Sequence, residues 1–202
     1  MKYLDELTER YPVLSVCRED VEKAINSILA MYHRGGKLLL CGNGGSCADC
    51  EHISGELLKG FLLMRKPLQE EVEGLDEQIA SSLQRGIPAI PLTSLTAVST
   101  AFANDVAPAN IYAQLVFALG SRSDVFLGIS TSGNSTNVVN AAKTAKARGL
   151  VSIAMTGAKG GKLADICDIC IKVPETETFK VQELHLPVYH AICAEVEDAL
   201  FG

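Results

Sequence analysis

Positive charge is in short supply in this chain: 18 lysines and arginines face 24 aspartates and glutamates, a formal charge of −6. That balance argues against nonspecific nucleic-acid binding, which rests on neutralising phosphates with Lys and Arg. It leaves room for a local positive pocket, because net charge says little about one site. Long hydrophobic runs are missing too. No stretch of about 18 apolar residues occurs, so no membrane span is expected. The first residues include Asp5 and Glu6 and no apolar signal core. Seven cysteines is an odd number for a disulfide framework. Reduced thiols in a cytoplasmic protein are the expectation. Internal repeats, low-complexity tracts and clear linkers are also lacking, so the 202 residues are expected to form one domain.

What is present is an apolar-rich chain, 48% hydrophobic with a mean hydropathy of +0.19. Its apolar residues recur in two alternating patterns. Val21, Ile25, Ile28, Leu29 and Tyr32 follow helical spacing up to Gly35-Gly36, predicting an N-terminal helix. Lys37–Cys41 predicts a strand, and about Ala48 to Leu58 a helix. Ile87–Leu92 is a short apolar run; Ala109–Leu119 predicts a helix and Val125–Ile129 a strand. Val138, Ala142 and Ala145 mark the next helix, with Ser135 or Thr136 as N-cap and Gly149 just past its end. Val151–Met155 and Cys167–Val173 predict the fourth and fifth strands. Leu184, Val188, Ile192, Val196 and Leu200 predict a last helix. The alternation gives an α/β class: a mostly parallel five-stranded sheet with helices on both faces, in three layers. Residues 62–86 break the rhythm. An acidic tract, Gln69–Glu73, precedes a stripe of Leu75, Ile79 and Leu83, predicting a helical insertion over the site or at an interface; an ordinary solvated connector reads equally well.

Two loops carry the chemistry. Cys41-Gly42-Asn43-Gly44-Gly45-Ser46 follows the first strand and Ser130-Thr131-Ser132-Gly133-Asn134-Ser135 follows the third. Both precede helices, where backbone N–H groups and the helix dipole suit an anion such as phosphate. Sites in such sheets lie outside the carboxyl ends of strands. Capping explains one or two of the four hydroxyls in the second loop, not all of them. Gly42-x-Gly44 hints at a dinucleotide fingerprint, but Cys47 stands where the third glycine belongs, and no acidic residue is evident at the end of a second strand. Cys47/Cys50 and Cys167/Cys170 each have Cys-x-x-Cys spacing, together a possible four-cysteine zinc site. Residues three apart on the predicted fifth strand face opposite ways, which favours small buried residues instead. His52 and Glu56, four apart, share one helix face and suit a metal or an acid/base pair, though a surface hydrogen-bonded pair has the same spacing. Gln182, Glu183, His185 and His190 fall in the last helix, where a histidine is commonly a satisfied core partner.

Taken together, the Gly-Asn-Gly-Gly-Ser loop, His52-x-x-x-Glu56, Ile129–Ser135 and Val181-Gln182-Glu183-Leu184-His185 followed by His190 resemble the phosphoheptose isomerases of the sugar isomerase (SIS) superfamily. The resemblance spans nearly the whole chain outside 62–86. It implies the SIS fold and aldose–ketose isomerisation of sedoheptulose 7-phosphate to D-glycero-D-manno-heptose 7-phosphate, the first step toward nucleotide-activated heptose. It implies a phosphate cradle of Ser46, Ser130, Thr131, Ser132 and Ser135. Further substrate contacts implied are Asn43, Gly44, Gly45, Glu56, Asn104, Asp105 and Gln182. It implies Glu56 and His190 as the catalytic pair, and one Zn²⁺ per subunit on His52, Glu56, Gln182 and His190. A homotetramer with active sites at subunit interfaces is implied as well. A carboxylate, an imidazole and a Lewis acid suit enediol chemistry in kind.

Two features press on that transfer. Gln182 and His190 are eight residues apart, about 12 Å along an ideal helix, so a shared metal asks for distortion, for which Pro187 offers a place. Relatives often carry an arginine in the turn after Glu56, whereas this chain reads Leu57-Leu58-Lys59-Gly60-Phe61. Lys59 supplies charge without a bidentate guanidinium. The 62–86 segment and Glu175-Thr176-Glu177-Thr178 are expected to reshape the sugar end. Two alternatives share the loops: an isomerase of another sugar phosphate, and a non-enzymatic SIS-domain protein binding a phosphosugar or a protein such as a replication initiator. An acid/base pair is superfluous in the latter.

Overall fold

The computed structural model describes residues 1–202. Five strands, β1 (Leu38–Cys41), β2 (Ala89–Pro91), β3 (Val125–Ile129), β4 (Val151–Thr156) and β5 (Ile169–Lys172), form one sheet in the order β2-β1-β3-β4-β5. Every neighbouring pair is parallel. Nine helices surround it: α1 (Lys2–Arg10), α2 (Arg18–His33), α3 (Gly45–Leu58), α4 (Glu77–Ser82), α5 (Thr96–Asp105), α6 (Ile111–Leu119), α7 (Thr136–Arg148), α8 (Gly161–Ile166) and α9 (Thr178–Phe201). No helix is long and apolar enough to cross a membrane.

The strands are buried on both faces, and alternation sorts their side chains into two cores. Leu38, Leu40, Val125, Leu127, Ile153 and Met155 pack with α1, α2, α3 and α9. Leu39, Cys41, Phe126 and Ala154 pack with α6, α7 and α8. Gly128 keeps α7 close to the sheet, since a Cβ there would lie 2.9 Å from Val138 Cγ1. Asp124 aligns the two central strands. It accepts hydrogen bonds from the Lys37 N–H (2.9 Å), Lys37 Nζ (2.8 Å) and the Ser121 N–H (2.7 Å). Burial alone would raise its pKa; these bonds outweigh burial and hold it below the usual carboxylate value.

Predicted and observed elements agree at most strands and at α2, α3, α6 and α7. Ser135 is the N-cap of α7, and Gly149 ends it in the left-handed region at φ 80°. Helices α1, α5 and α8 were not predicted, and α9 starts six residues before its predicted stripe. Two expectations need correction. Of the two readings of 62–86, one inserted helix is not found and the solvated connector is nearer: the segment holds a 3-10 turn at Gln69–Glu71 and the six-residue α4. Leu75, Ile79 and Leu83 are 45%, 53% and 43% exposed, because only Ile79 lies on α4 and no core faces the stripe. Cys167 lies before β5, at the end of α8, so it and Cys170 pack against the same core instead of opposite faces. The cysteines are free. Burial pushes the Cys167 thiol up to about 12 and raises Cys41, Cys50 and Cys170 as well.

Candidate active site

β1 and β3 are adjacent, with Cys41 opposite Gly128. Chain connections leave β1 toward β2 on one side and reach β3 on the other, so the two loops flank the topological switch point of the sheet. The first loop turns through Gly44 at φ 57°, a conformation that favours glycine, and α3 starts at the next residue. Two contacts fix the loop. The Tyr112 hydroxyl donates to the Gly42 carbonyl at 2.9 Å. The carboxamides of Asn43 and Asn137 pair reciprocally, each Nδ2 donating to the other's Oδ1 at 2.9 Å. Asn137 lies in the first turn of α7, so the first loop is tied to the helix that follows the second.

The second loop is built by its own polar groups. The Ser130 and Ser135 hydroxyls are 3.0 Å apart. Ser132 Oγ accepts from the Asn134 N–H at 3.2 Å, and Asn134 Oδ1 accepts from the Lys162 N–H at 3.1 Å. The N–H groups of Thr131, Ser132 and Ser135 donate to no backbone acceptor. They and the start of α7 supply the donors an oxyanion needs. Ser46 and Ser130 are buried, Thr131 and Ser135 half-buried, and Ser132 exposed.

Helices α3 and α9 lie side by side and run in the same direction. Gly45 meets Gln182 near their starts, His52 meets His190 two turns on, and Tyr189 reaches Asp49 between. Gly45 leaves the room the Gln182 carboxamide occupies: a Cβ there would come 2.5 Å from Gln182 Nε2. His52 Nε2 is 3.2 Å from Glu56 Oε1 and 3.4 Å from His190 Nε2. Lys59 Nζ binds Glu56 Oε2 at 3.2 Å. The structure therefore brings His52, Glu56 and His190 together and does not join Gln182 to them. α9 runs unbroken through Pro187, so its rise keeps the Gln182 carboxamide at the first loop. Asn104 and Asp105 end α5, exposed, and bond to one another at 2.8 Å; no hydrogen bond ties them to either loop. His190 also lines a cleft of about 400 Å³ with Tyr3, Tyr11, Phe61, Leu186 and Pro187. Burial and then the neighbouring His52 lower its pKa, against an opposing pull from Glu56. His185 is fully buried, and burial drives its pKa down to about 4, so it is a neutral core residue at physiological pH.

The donor set bears on a metal. Two ligands about 2.1 Å from a tetrahedral ion stand roughly 3.4 Å apart. The His52–Glu56 and His52–His190 spacings match that separation. By strict convergence, no three His, Cys, Asp or Glu side chains form a finished site, and Lys59 holds the second oxygen of Glu56. The imidazole and carboxylate donors are of the types zinc accepts.

Sequence reasoning missed four polar residues here. Asp49 lies one turn before His52, and its spacing on α3 was a usable signal. Tyr189 is buried beside His190 and bonds across to His52 and Asp49. Arg65 and Glu197 form a buried ion pair joining the end of α3 to α9. Nothing local in the sequence marks these last three.

A family model described as "SIS domain" matches residues 2–157, which places this fold and its paired loops in the SIS-domain class. Within that class, the chain is 39% identical to a phosphoheptose isomerase of Aneurinibacillus thermoaerophilus, over 90% of this chain and 82% of that relative. It is 41% identical to phosphoheptose isomerase 2 of Campylobacter jejuni, over 90% and 81%. The solved phosphoheptose isomerase of Neisseria gonorrhoeae superposes with a TM-score of 0.72 at 32% identity, covering 95% of this chain and 92% of that one. The chain belongs to the phosphoheptose isomerase family.

Proposed function

We propose that this protein interconverts sedoheptulose 7-phosphate and D-glycero-D-manno-heptose 7-phosphate, feeding the synthesis of nucleotide-activated heptose. The observation that carries the reading is Glu56 and His190 meeting around His52, on helices that also border the phosphate-type loop at Gly45. Ser46, Ser130, Thr131, Ser132 and Ser135 hold the phosphate, with the N-termini of α3 and α7. Asn43, Gly44, Gly45 and Gln182 meet the sugar.

Glu56 takes a proton from C1 of the ketose. The C–H electrons form the C1–C2 double bond, and the C2 carbonyl oxygen takes a proton from His190, giving the enediol. Glu56 then returns a proton to C2 while His190 recovers one from the C1 hydroxyl, leaving the aldehyde. Zinc held by His52, Glu56 and His190 would supply Lewis-acid stabilisation of charge on the sugar oxygens.

The protein acts as a cytoplasmic homotetramer in this reading. Support comes from the isolation of Asn104 and Asp105 from the loops of their own chain, and from exposed Val16, Val106 and Phe117. A neighbouring subunit then brings the Asn104–Asp105 pair to the sugar. The test is incubation of purified protein with sedoheptulose 7-phosphate, beside pentulose and hexulose phosphates, following aldose formation. Heptose 7-phosphate should form fastest. Turnover of another sugar alone replaces the substrate, and binding without any turnover leaves a regulator.

A further inference from the structure

Asp49, Tyr189 and His52 form a chain of polar contacts in which no member has another way to satisfy the same atoms. Tyr189 is 2% exposed. Its hydroxyl oxygen lies 2.9 Å from His52 Nδ1 and 3.3 Å from Asp49 Oδ1. The other carboxylate oxygen, Asp49 Oδ2, is buried and has no partner.

A tyrosine has one hydroxyl proton, so with Asp49 ionised and His52 neutral that proton goes either to His52 Nδ1 or to Asp49. In the first, Tyr189 donates to His52 Nδ1, and His52 carries its proton on Nε2, where it donates to Glu56 Oε1 at 3.2 Å. Asp49, as a carboxylate, then loses its single donor and keeps both oxygens unsatisfied, which is costly for a charged group withdrawn from water. In the second, Tyr189 donates to Asp49, a charge-assisted bond, and its oxygen accepts Nδ1–H of His52. Every atom of the chain except Asp49 Oδ2 is then paired. Nε2 is left bare toward Glu56 Oε1 and His190 Nε2, at 3.2 and 3.4 Å. Two acceptors facing each other at that distance are what a bound cation relieves.

We propose that Asp49 and Tyr189 are positioning residues that hold His52 in the Nδ1–H tautomer, with Nε2 presented to the space shared with Glu56 and His190. The carboxylate acts on a ligand imidazole through a phenol instead of touching it. The benefit for an ion is the usual one of an outer partner: fixed ring orientation and a more basic donor nitrogen. The metal part of this inference rests on the proposed function; the tautomer does not.

The test is nitrogen NMR of the 202-residue chain, with labelled histidine, after chelator treatment at about pH 8, where ordinary imidazoles are neutral. Four histidines are present, and His52→Gln assigns the signal. The expected result is Nδ1 protonated in the parent protein and mainly Nε2 protonated in Tyr189→Phe. Asp49→Asn offers an amide N–H to the phenol oxygen, so Tyr189 donates to His52 and the same change of tautomer follows. An Nε2–H tautomer in the parent, or one tautomer in all three proteins, overturns the proposal. A zinc titration of the same proteins gives a second reading. Tyr189→Phe should weaken zinc binding at least about 10-fold, and unchanged affinity contradicts the role toward the ion. If the parent binds no zinc, the metal in the proposed function falls, and the tautomer comparison still judges the relay.

Discussion

Arg65 Nε donates to Glu197 Oε1 at 2.6 Å, with both side chains withdrawn from solvent. The pair spans the two helices that carry the proposed catalytic pair, Glu56 and His190. Glu197 also accepts from the N–H groups of Phe61, Leu62 and Leu63, at 2.8, 2.6 and 3.1 Å. Arg65 donates to the Leu57 carbonyl at 2.6 Å and the Glu56 carbonyl at 3.1 Å. It therefore satisfies carbonyls that the end of α3 leaves free. The backbone of Glu56 is held directly, four residues from His52 and facing α9.

Breaking this pair should destabilise the protein. Glu197→Gln leaves Arg65 buried without its counter-charge, a loss of about 3–5 kcal/mol. At 2–4 °C per kcal/mol for a chain of this size, Tm should drop by roughly 6–20 °C. Calorimetry of the two proteins checks the figure. The effect has a pH signature. Burial would raise the Glu197 pKa, but the bonds from Phe61, Leu62 and Arg65 outweigh it and hold the folded-state value below the ordinary 4.5. Such a group contributes fully above its unfolded pKa and loses its contribution as pH falls through the folded value. The Tm gap between parent and Glu197→Gln should be widest near neutrality and narrow below pH 4.5.

Gly133 sits at φ 66° in the second loop, and a Cβ there would overlap the Gly160 carbonyl oxygen. Both objections fall on backbone, which moves little. Gly133→Ala should cost about 1–3 kcal/mol in backbone strain alone and raise KM as the loop shifts. A thermal melt and steady-state kinetics on one preparation check both effects.

Ser132 and Ser135 test the cradle separately. Ser132→Ala removes an exposed hydroxyl that accepts from Asn134, and Ser135→Ala breaks the bond to Ser130. Each should raise KM several-fold, about 1–1.5 kcal/mol of binding, with a smaller effect on kcat. Unchanged KM in both variants would remove the hydroxyls from phosphate recognition.

The sheet was legible because buried parallel strands read as short apolar runs. Leu38–Cys41, Val125–Ile129 and Val151–Thr156 lie within one residue of expectation. Helix α1 escaped because it buries only Leu4 and Leu7. Part of its hold comes from a distant residue, Glu195, which accepts from the N–H groups of Tyr3 and Leu4. The stripe in residues 62–86 misled for the opposite reason: regular spacing had no surface to pack on. At the site, His52 and Glu56 were visible as a pair four apart on one helix. Their meeting with His190, the departure of Gln182 to Gly45, and the Tyr189 contacts depend on how α3 and α9 align. That alignment joins positions about 137–140 apart in the chain, which no local pattern encodes.

The central claim is proton transfer by Glu56 and His190 on a phosphorylated ketose. Sedoheptulose 7-phosphate turned over in deuterium oxide and followed by proton NMR tests it most directly. The account predicts heptose 7-phosphate carrying deuterium at C2 from the parent protein, and a rate lower by orders of magnitude in Glu56→Gln with phosphosugar binding retained. Near-parental turnover by Glu56→Gln, or no aldose from the parent protein, would contradict it.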